Sequence, residues 1–194
     1  SISELELTFS HFDVDSLLAI VDLSGMKHVD PDIVHDMLLN SEEDKLYRPD
    51  FDECVRTIVS KEKLDFVERE QLSQVFAEMF QTFSKNSSRV SSRLEIAIGM
   101  SFLCRGSKSR KLELAFDALD LDLDGNLDAD ELSTYFRCFL TALSMFSGSL
   151  VGLSDEEIRH MVIRASENLR DIVFEDLDLA GDGKISFEAF GTWY

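Results

Sequence analysis

The chain has 194 residues, of which 44% are apolar, so it can bury the core of one or two small domains. Its 38 acidic residues outnumber its 19 basic residues and give a net charge of −19. This charge makes nucleic acid and anionic membrane surfaces unfavourable partners, and it favours cations and basic protein segments.

Helical periodicity extends along nearly the whole chain, because only two prolines and nine glycines interrupt it. Apolar stripes with helical spacing occur at residues 72–83, 94–102, 112–119, 132–143 and 158–173. Residue pairs typical of helix starts precede several of these stripes. They are Asp30 with Pro31, Ser92 with Glu95, and Ser154 with Glu157.

Residues 120–131, which read DLDLDGNLDADE, place oxygen-bearing side chains at alternate positions of one loop. Gly125 stands where such a loop must turn sharply. A hard cation such as Ca²⁺ needs about six to eight oxygen ligands, and this spacing supplies them. The predicted ligands are the carboxylates of Asp120, Asp122 and Asp124, the backbone carbonyl of Asn126, Asp128 directly or through a water, and both oxygens of Glu131.

This segment resembles the calcium-binding loop of an EF-hand, because it matches the D-x-[DN]-x-[DN]-G-x₅-E pattern in full. An acidic, solvated turn is the plainer alternative, but the apolar stripes on both sides favour a helix-loop-helix unit. The resemblance implies that Leu127 forms a short strand with the equivalent apolar residue of a second loop. Ile185 is that residue in the next candidate loop.

Residues 178–189 form an incomplete loop of the same shape. Ala180 and Ala189 stand at the third and twelfth positions, where an EF-hand needs ligands. We therefore expect a structural partner loop, or a weak or vestigial site that fills only at high calcium. The residues that could contribute to it are Asp178, Asp182, the carbonyl of Lys184, and Glu188, which comes one position too early.

Two earlier segments have the layout of EF-hands without the ligands. Residues 84–95 carry Arg89 and Arg93 instead of aspartates, so this loop should not hold a cation. The first loop fits residues 39–50, with Leu46 at the strand position, or an alternative frame at residues 22–33.

Four such units predict an all-α fold of paired EF-hands in two lobes, with short β pairing between loops. The N-terminal lobe, residues 1–106, would combine a helical extension with two degenerate hands. The C-terminal lobe, residues 107–194, would combine one complete and one incomplete hand. This layout is similar to the calcineurin-B-like and neuronal-calcium-sensor groups.

The sequence carries no catalytic motif. The four histidines do not cluster, and neither a zinc-protease helix, a nucleophile elbow nor a phosphate-binding glycine loop occurs, so we do not expect an enzyme. Cys54, Cys104 and Cys138 are widely spaced in apolar contexts, which favours buried free thiols and a cytoplasmic location. No uninterrupted apolar stretch predicts direct membrane insertion.

The resulting hypothesis is a regulatory sensor that binds one Ca²⁺ at residues 120–131, changes its helix packing and engages a target protein through an amphipathic helix. The apolar face for that helix would carry Phe136, Phe139, Leu140 and Leu143. Two alternatives stay open: the regulatory EF-hand segment of a larger enzyme or channel, and a calcium buffer.

Overall fold

Helices connected by short loops account for most of the computed structural model, which describes residues 10–59, 64–84, 90–147, 150–178 and 181–193. A 3-10 turn, Met26–His28, follows the first helix. In chain order the helices are α1 (His11–Ser24), α2 (Pro31–Leu39), α3 (Arg48–Ile58), α4 (Phe66–Phe83), α5 (Arg93–Ser101), α6 (Lys108–Leu119), α7 (Ala129–Ser144), α8 (Asp155–Leu177) and α9 (Phe187–Trp193).

Two short antiparallel strand pairs join the loops, one pair in each half of the described chain. β1 (Lys45–Tyr47) pairs with β2 (Val90–Ser92), and β3 (Asn126–Leu127) pairs with β4 (Ile185–Ser186). Each pair joins the loops of two successive helix-loop-helix units. The predicted all-α fold with short β pairing is therefore confirmed.

The strand register also decides between the two frames of the first loop. Leu46 lies opposite Ser91 and is fully buried, as the frame at residues 39–50 predicts. The alternative frame at residues 22–33 is wrong, because that segment contains the end of α1, the 3-10 turn and the start of α2. Residues 85–89 of the second loop, including Arg89, lie outside the described residues.

Helices begin where the sequence predicts them. Asp30 accepts a hydrogen bond from the Asp32 backbone N–H and precedes Pro31 in the first turn of α2. Ser154 and Glu157 form a reciprocal capping box at the start of α8, which satisfies N–H groups that have no partner within the helix.

The core continues across both halves of the chain. α5 packs against α7, and α2 packs against α6, so helices from the two predicted lobes are in contact. Both members of each strand pair fall on the same side of residues 106 and 107, where the sequence places the lobe boundary. That boundary, and the two-lobe division itself, stay predictions.

The three cysteines are buried and free, as predicted. Burial raises the pKa of the Cys54 thiol and raises the pKa of Cys104 to about 12, because it penalises the charged thiolate. Cys54 and Cys104 therefore act as small apolar side chains and not as nucleophiles. None of the described helices combines the length and the apolar character that a membrane span needs.

Candidate metal centre

The loop between α6 and α7 is folded around the carboxylate of Asp120. This residue ends α6 and is only 9% exposed. Its Oδ1 accepts a hydrogen bond from the Asp124 N–H at 3.0 Å, and its Oδ2 accepts one from the Gly125 N–H at 2.9 Å. These bonds turn the backbone back on itself. Gly125 adopts a φ of +78°, which a residue without a Cβ adopts at little cost.

The same turn draws three carboxylates together. One oxygen from each of Asp120, Asp122 and Asp124 lies within 4.8 Å of the other two. Among the described residues, this is the cluster of acidic side chains that is close enough to share a metal ion. Like charges at this separation repel each other, so the cluster fits a hard divalent cation such as Ca²⁺, which prefers carboxylate oxygens.

Asp128 and Glu131 form a capping box at the start of α7. Asp128 Oδ1 accepts hydrogen bonds from the N–H groups of Asp130 at 2.8 Å and Glu131 at 2.9 Å. Glu131 returns the contact through Oε2, which accepts from the Asp128 N–H at 3.0 Å. Its other oxygen, Oε1, accepts from the Leu121 N–H at 3.2 Å. The Glu131 carboxylate therefore connects α7 to both ends of the loop.

Asn126 lies in β3, opposite Ser186. Its side-chain amide donates to the backbone carbonyl of Asp124 at 3.0 Å and to Asp124 Oδ1 at 3.1 Å. The side chain therefore braces the loop, which agrees with the expectation that Asn126 would use its backbone carbonyl as a ligand. The structure thus brings Asp120, Asp122 and Asp124 into one cluster and ties Asn126, Asp128 and Glu131 into the same loop.

The loop that follows α8 has the same turn. Asp178 accepts hydrogen bonds from the N–H groups of Asp182 at 3.0 Å and Gly183 at 2.9 Å, just as Asp120 does in the first loop. Glu188 is exposed on the first turn of α9. Ala180, the missing third ligand, lies outside the described residues. The weak or vestigial character of this loop stays a prediction.

Lys184 has a contact that the sequence did not predict. Its side-chain ammonium forms an ion pair with Oδ2 of Asp124, which belongs to the neighbouring loop. The loop pattern predicts a role for Lys184 only through its carbonyl, because the ion pair depends on how β3 and β4 pair. Loop spacing alone carries no signal of it.

The apolar face of α7 is largely covered by other parts of the same chain. Phe136 is 3% exposed and meets the rings of Phe190 at 5.9 Å and Trp193 at 6.4 Å, both on α9. Phe139 packs edge-on against Phe102 at 4.9 Å. The expected groove is thus reduced to a cavity of about 210 Å³. Its apolar lining includes Leu17 of α1, Phe102, Tyr135, Phe139, Ala142 and Leu143.

Comparison with known proteins agrees with this geometry. Residues 109–194 match the family model described as an EF-hand domain pair. The chain is 32% identical over 116 residues to a recoverin family protein of Dictyostelium discoideum, covering 58% of this chain and 51% of that protein. It is 38% identical over 89 residues to the calcineurin B protein of Naegleria gruberi, covering 46% of this chain and 41% of that protein.

A third relative is guanylyl cyclase-activating protein 1 of Lithobates pipiens, which is 25% identical over 118 residues, covering 61% of this chain and 50% of that protein. The chain thus spans about half the length of the curated relatives it matches, and no single group among them is favoured. With the complete loop, the paired strands and the matched domain pair together, the chain belongs to the EF-hand superfamily.

Proposed function

We propose that this protein is a calcium-binding regulator whose main site is the loop at residues 120–131. The observation that carries the proposal is the convergence of three carboxylates within 4.8 Å in a loop of EF-hand shape. A bound Ca²⁺ would supply the positive charge that offsets the repulsion among these groups. The residues that would hold it are Asp120, Asp122, Asp124, Asn126 through its carbonyl, Asp128 directly or through a water, and Glu131.

Glu131 is the residue that would couple the loop to the rest of the molecule. It lies in the first turn of α7 and accepts hydrogen bonds from Leu121 and Asp128. A Glu131 carboxylate that turned into the ligand cluster would exchange these bonds and move the start of α7 with it. Because Phe136 on α7 packs against α9, this movement would repack the interface between the two helices.

The proposed partner is a protein that presents an amphipathic helix with basic residues. Phe139 and Leu143 already line a cavity, and repacking α7 would widen it. The net charge of −19 supports a basic helix over nucleic acid or an anionic membrane. The calcineurin relative is by its name one member of a protein assembly, which supports a protein target here as well.

The loop at residues 178–189 is proposed to support the main site and not to equal it. Asp178, Asp182, the carbonyl of Lys184 and Glu188 would bind Ca²⁺ weakly or not at all, because the sequence supplies too few carboxylates. The buried free cysteines fit a reducing compartment, and we propose the cytoplasm on that ground.

Calorimetric titration with calcium tests the main site. We expect one tight site in the wild type, and a loss of affinity on the order of 100-fold in Glu131→Gln, which removes a charged ligand. Asp130→Asn is the matched control, because it makes the same charge change one residue away on an exposed side chain that is not a predicted ligand. More than two tight sites, no site, or equal losses in both variants would contradict the proposal.

An apolar fluorescent dye tests the regulatory part. Calcium should increase dye binding to the wild type and to Asp130→Asn but not to Glu131→Gln, because α7 would move only when Glu131 turns into the site. Tight calcium binding without any increase in dye binding would indicate a calcium buffer, whose helices barely open.

A further inference from the structure

The ion pair between Lys184 and Asp124 joins two loops that are 60 residues apart in the sequence. The pairing of β3 with β4 brings them together, because Leu127 lies opposite Ile185, the residue that follows Lys184. The side chains are 45% and 28% exposed, so the contact lies at the surface of the site. A lysine of the incomplete loop thus reaches into the complete one.

Both oxygens of Asp124 are engaged in this arrangement. Oδ1 accepts hydrogen bonds from the backbone N–H of Asn126 at 2.8 Å and from its side-chain amide at 3.1 Å. Oδ2 accepts from the Lys184 ammonium. A carboxylate that is needed as a ligand at the fifth loop position is therefore already paired with a positive charge.

We infer that Lys184 is a tethered cationic competitor that lowers the calcium affinity of the loop at residues 120–131. This inference rests on the proposed function. A cation that takes Asp124 as a ligand must displace the ammonium or bind close to it, and both cost free energy. The incomplete loop would thus regulate the complete one through this side chain, without an ion of its own.

Two substitutions at position 184 test the role of the charge. Lys184→Gln should raise calcium affinity about two- to fivefold, the range expected for an exposed ion pair, and the gain should shrink at high salt. Lys184→Arg keeps the charge and should bind as weakly as the wild type. The matched control is Lys27→Gln, because Lys27 is also 45% exposed and pairs with Asp22 at 2.8 Å, far from the loop in sequence.

Equal gains in Lys184→Gln and Lys27→Gln would overturn the inference, since only the net charge would matter. A gain in Lys184→Arg as large as that in Lys184→Gln would overturn it too, because the competitor would not need its charge.

A calcium-free measurement separates this inference from the proposed function. In a chelator, urea unfolding of Lys184→Gln, Asp124→Asn and the double variant should show coupling between the two positions. No coupling, in a protein that still binds calcium tightly, would overturn the competitor role alone. If the wild type binds no calcium, the proposed function fails and the competitor role fails with it, whatever the coupling.

Discussion

His35 is a buried imidazole on α2 whose protonation opposes folding. The residue is 7% exposed, and its Nε2 atom has no hydrogen-bond partner among the described residues. Burial lowers the pKa of His35 below its ordinary value of 6.5, and the nearby Arg110 guanidinium lowers it further, while Asp32 and Asp36 raise it. Burial is the largest of these effects, so the folded protein holds this imidazole neutral.

The stability of the calcium-free protein should therefore fall as the pH drops below about 6.5. In that range the unfolded chain binds a proton at His35 that the folded chain does not, so acidification favours unfolding. The midpoint of urea unfolding, measured in a chelator at pH 7.5 and 5.5, should fall less in His35→Gln than in the wild type. His160→Gln is the control, because its side chain on α8 is 65% exposed and should leave the wild-type difference unchanged. Equal falls in His35→Gln and the wild type would disprove the role of His35.

At the scale of residues, the sequence predicts the ligands of the loop well because their spacing is local. The turn around Asp120 and the left-handed Gly125 lie within a few residues of each other, so the motif contains them. Leu123 also adopts a positive φ, +58°, which its residue type disfavours and the sequence does not signal. The Lys184 contact is equally invisible, since it depends on a neighbouring strand.

Among the helices, an ion pair connects α5 and α7 across the predicted lobe boundary. Arg137 Nη2 on α7 donates to Glu95 Oε1 on α5 at 2.7 Å, and the side chains are 31% and 10% exposed. The sequence predicts Glu95 as half of a capping box with Ser92. Ser92 does cap α5 by accepting from the Glu95 N–H, but the Glu95 side chain reaches a helix 42 residues away. Local pattern predicts the helix start, whereas tertiary packing determines the partner.

Breaking this pair should destabilise the protein more than breaking an exposed one. Glu95→Gln should lower the free energy of unfolding by about 1–3 kcal/mol, because it leaves Arg137 partly buried without its carboxylate. The comparison is Asp52→Asn, which removes the partner of Arg48 from a pair of the same 2.7 Å length that is 35% and 40% exposed. That loss should stay below about 1 kcal/mol. Urea unfolding in a chelator measures both, and equal losses would show that α5 and α7 do not depend on the ion pair.

Across the whole molecule, the sequence predicts the helix-loop-helix units but not how the two halves meet. Each unit follows from periodicity and caps within about 30 residues, and the paired loops follow from the family pattern. The contacts of α2 with α6 and of α5 with α7 join surfaces that are distant in the sequence. The covering of α7 by Leu17, Phe190 and Trp193 has the same origin. The expected apolar face is therefore mostly internal in this structure.

The net charge of −19 should make salt act in opposite directions on folding and on calcium binding. Without calcium, the excess of carboxylates repels itself in the folded state, and salt screens that repulsion. Raising NaCl from about 0.01 M to about 1 M, which shortens the Debye length from about 30 Å to about 3 Å, should raise the melting temperature of the chelator-treated protein. The same change should weaken calcium binding, because it screens the attraction between the acidic loop and the cation.

Calorimetry and thermal unfolding on the same samples measure both effects. Choline chloride should replace NaCl with little difference if screening is the cause, whereas sodium bound at the acidic loops would act alone. A melting temperature that falls with salt, or an affinity that rises with it, would show that local contacts outweigh the charge of the molecule as a whole. Opposite slopes would place calcium binding and folding under one electrostatic field, in which the loop at residues 120–131 is the point of highest negative charge that a cation can neutralise.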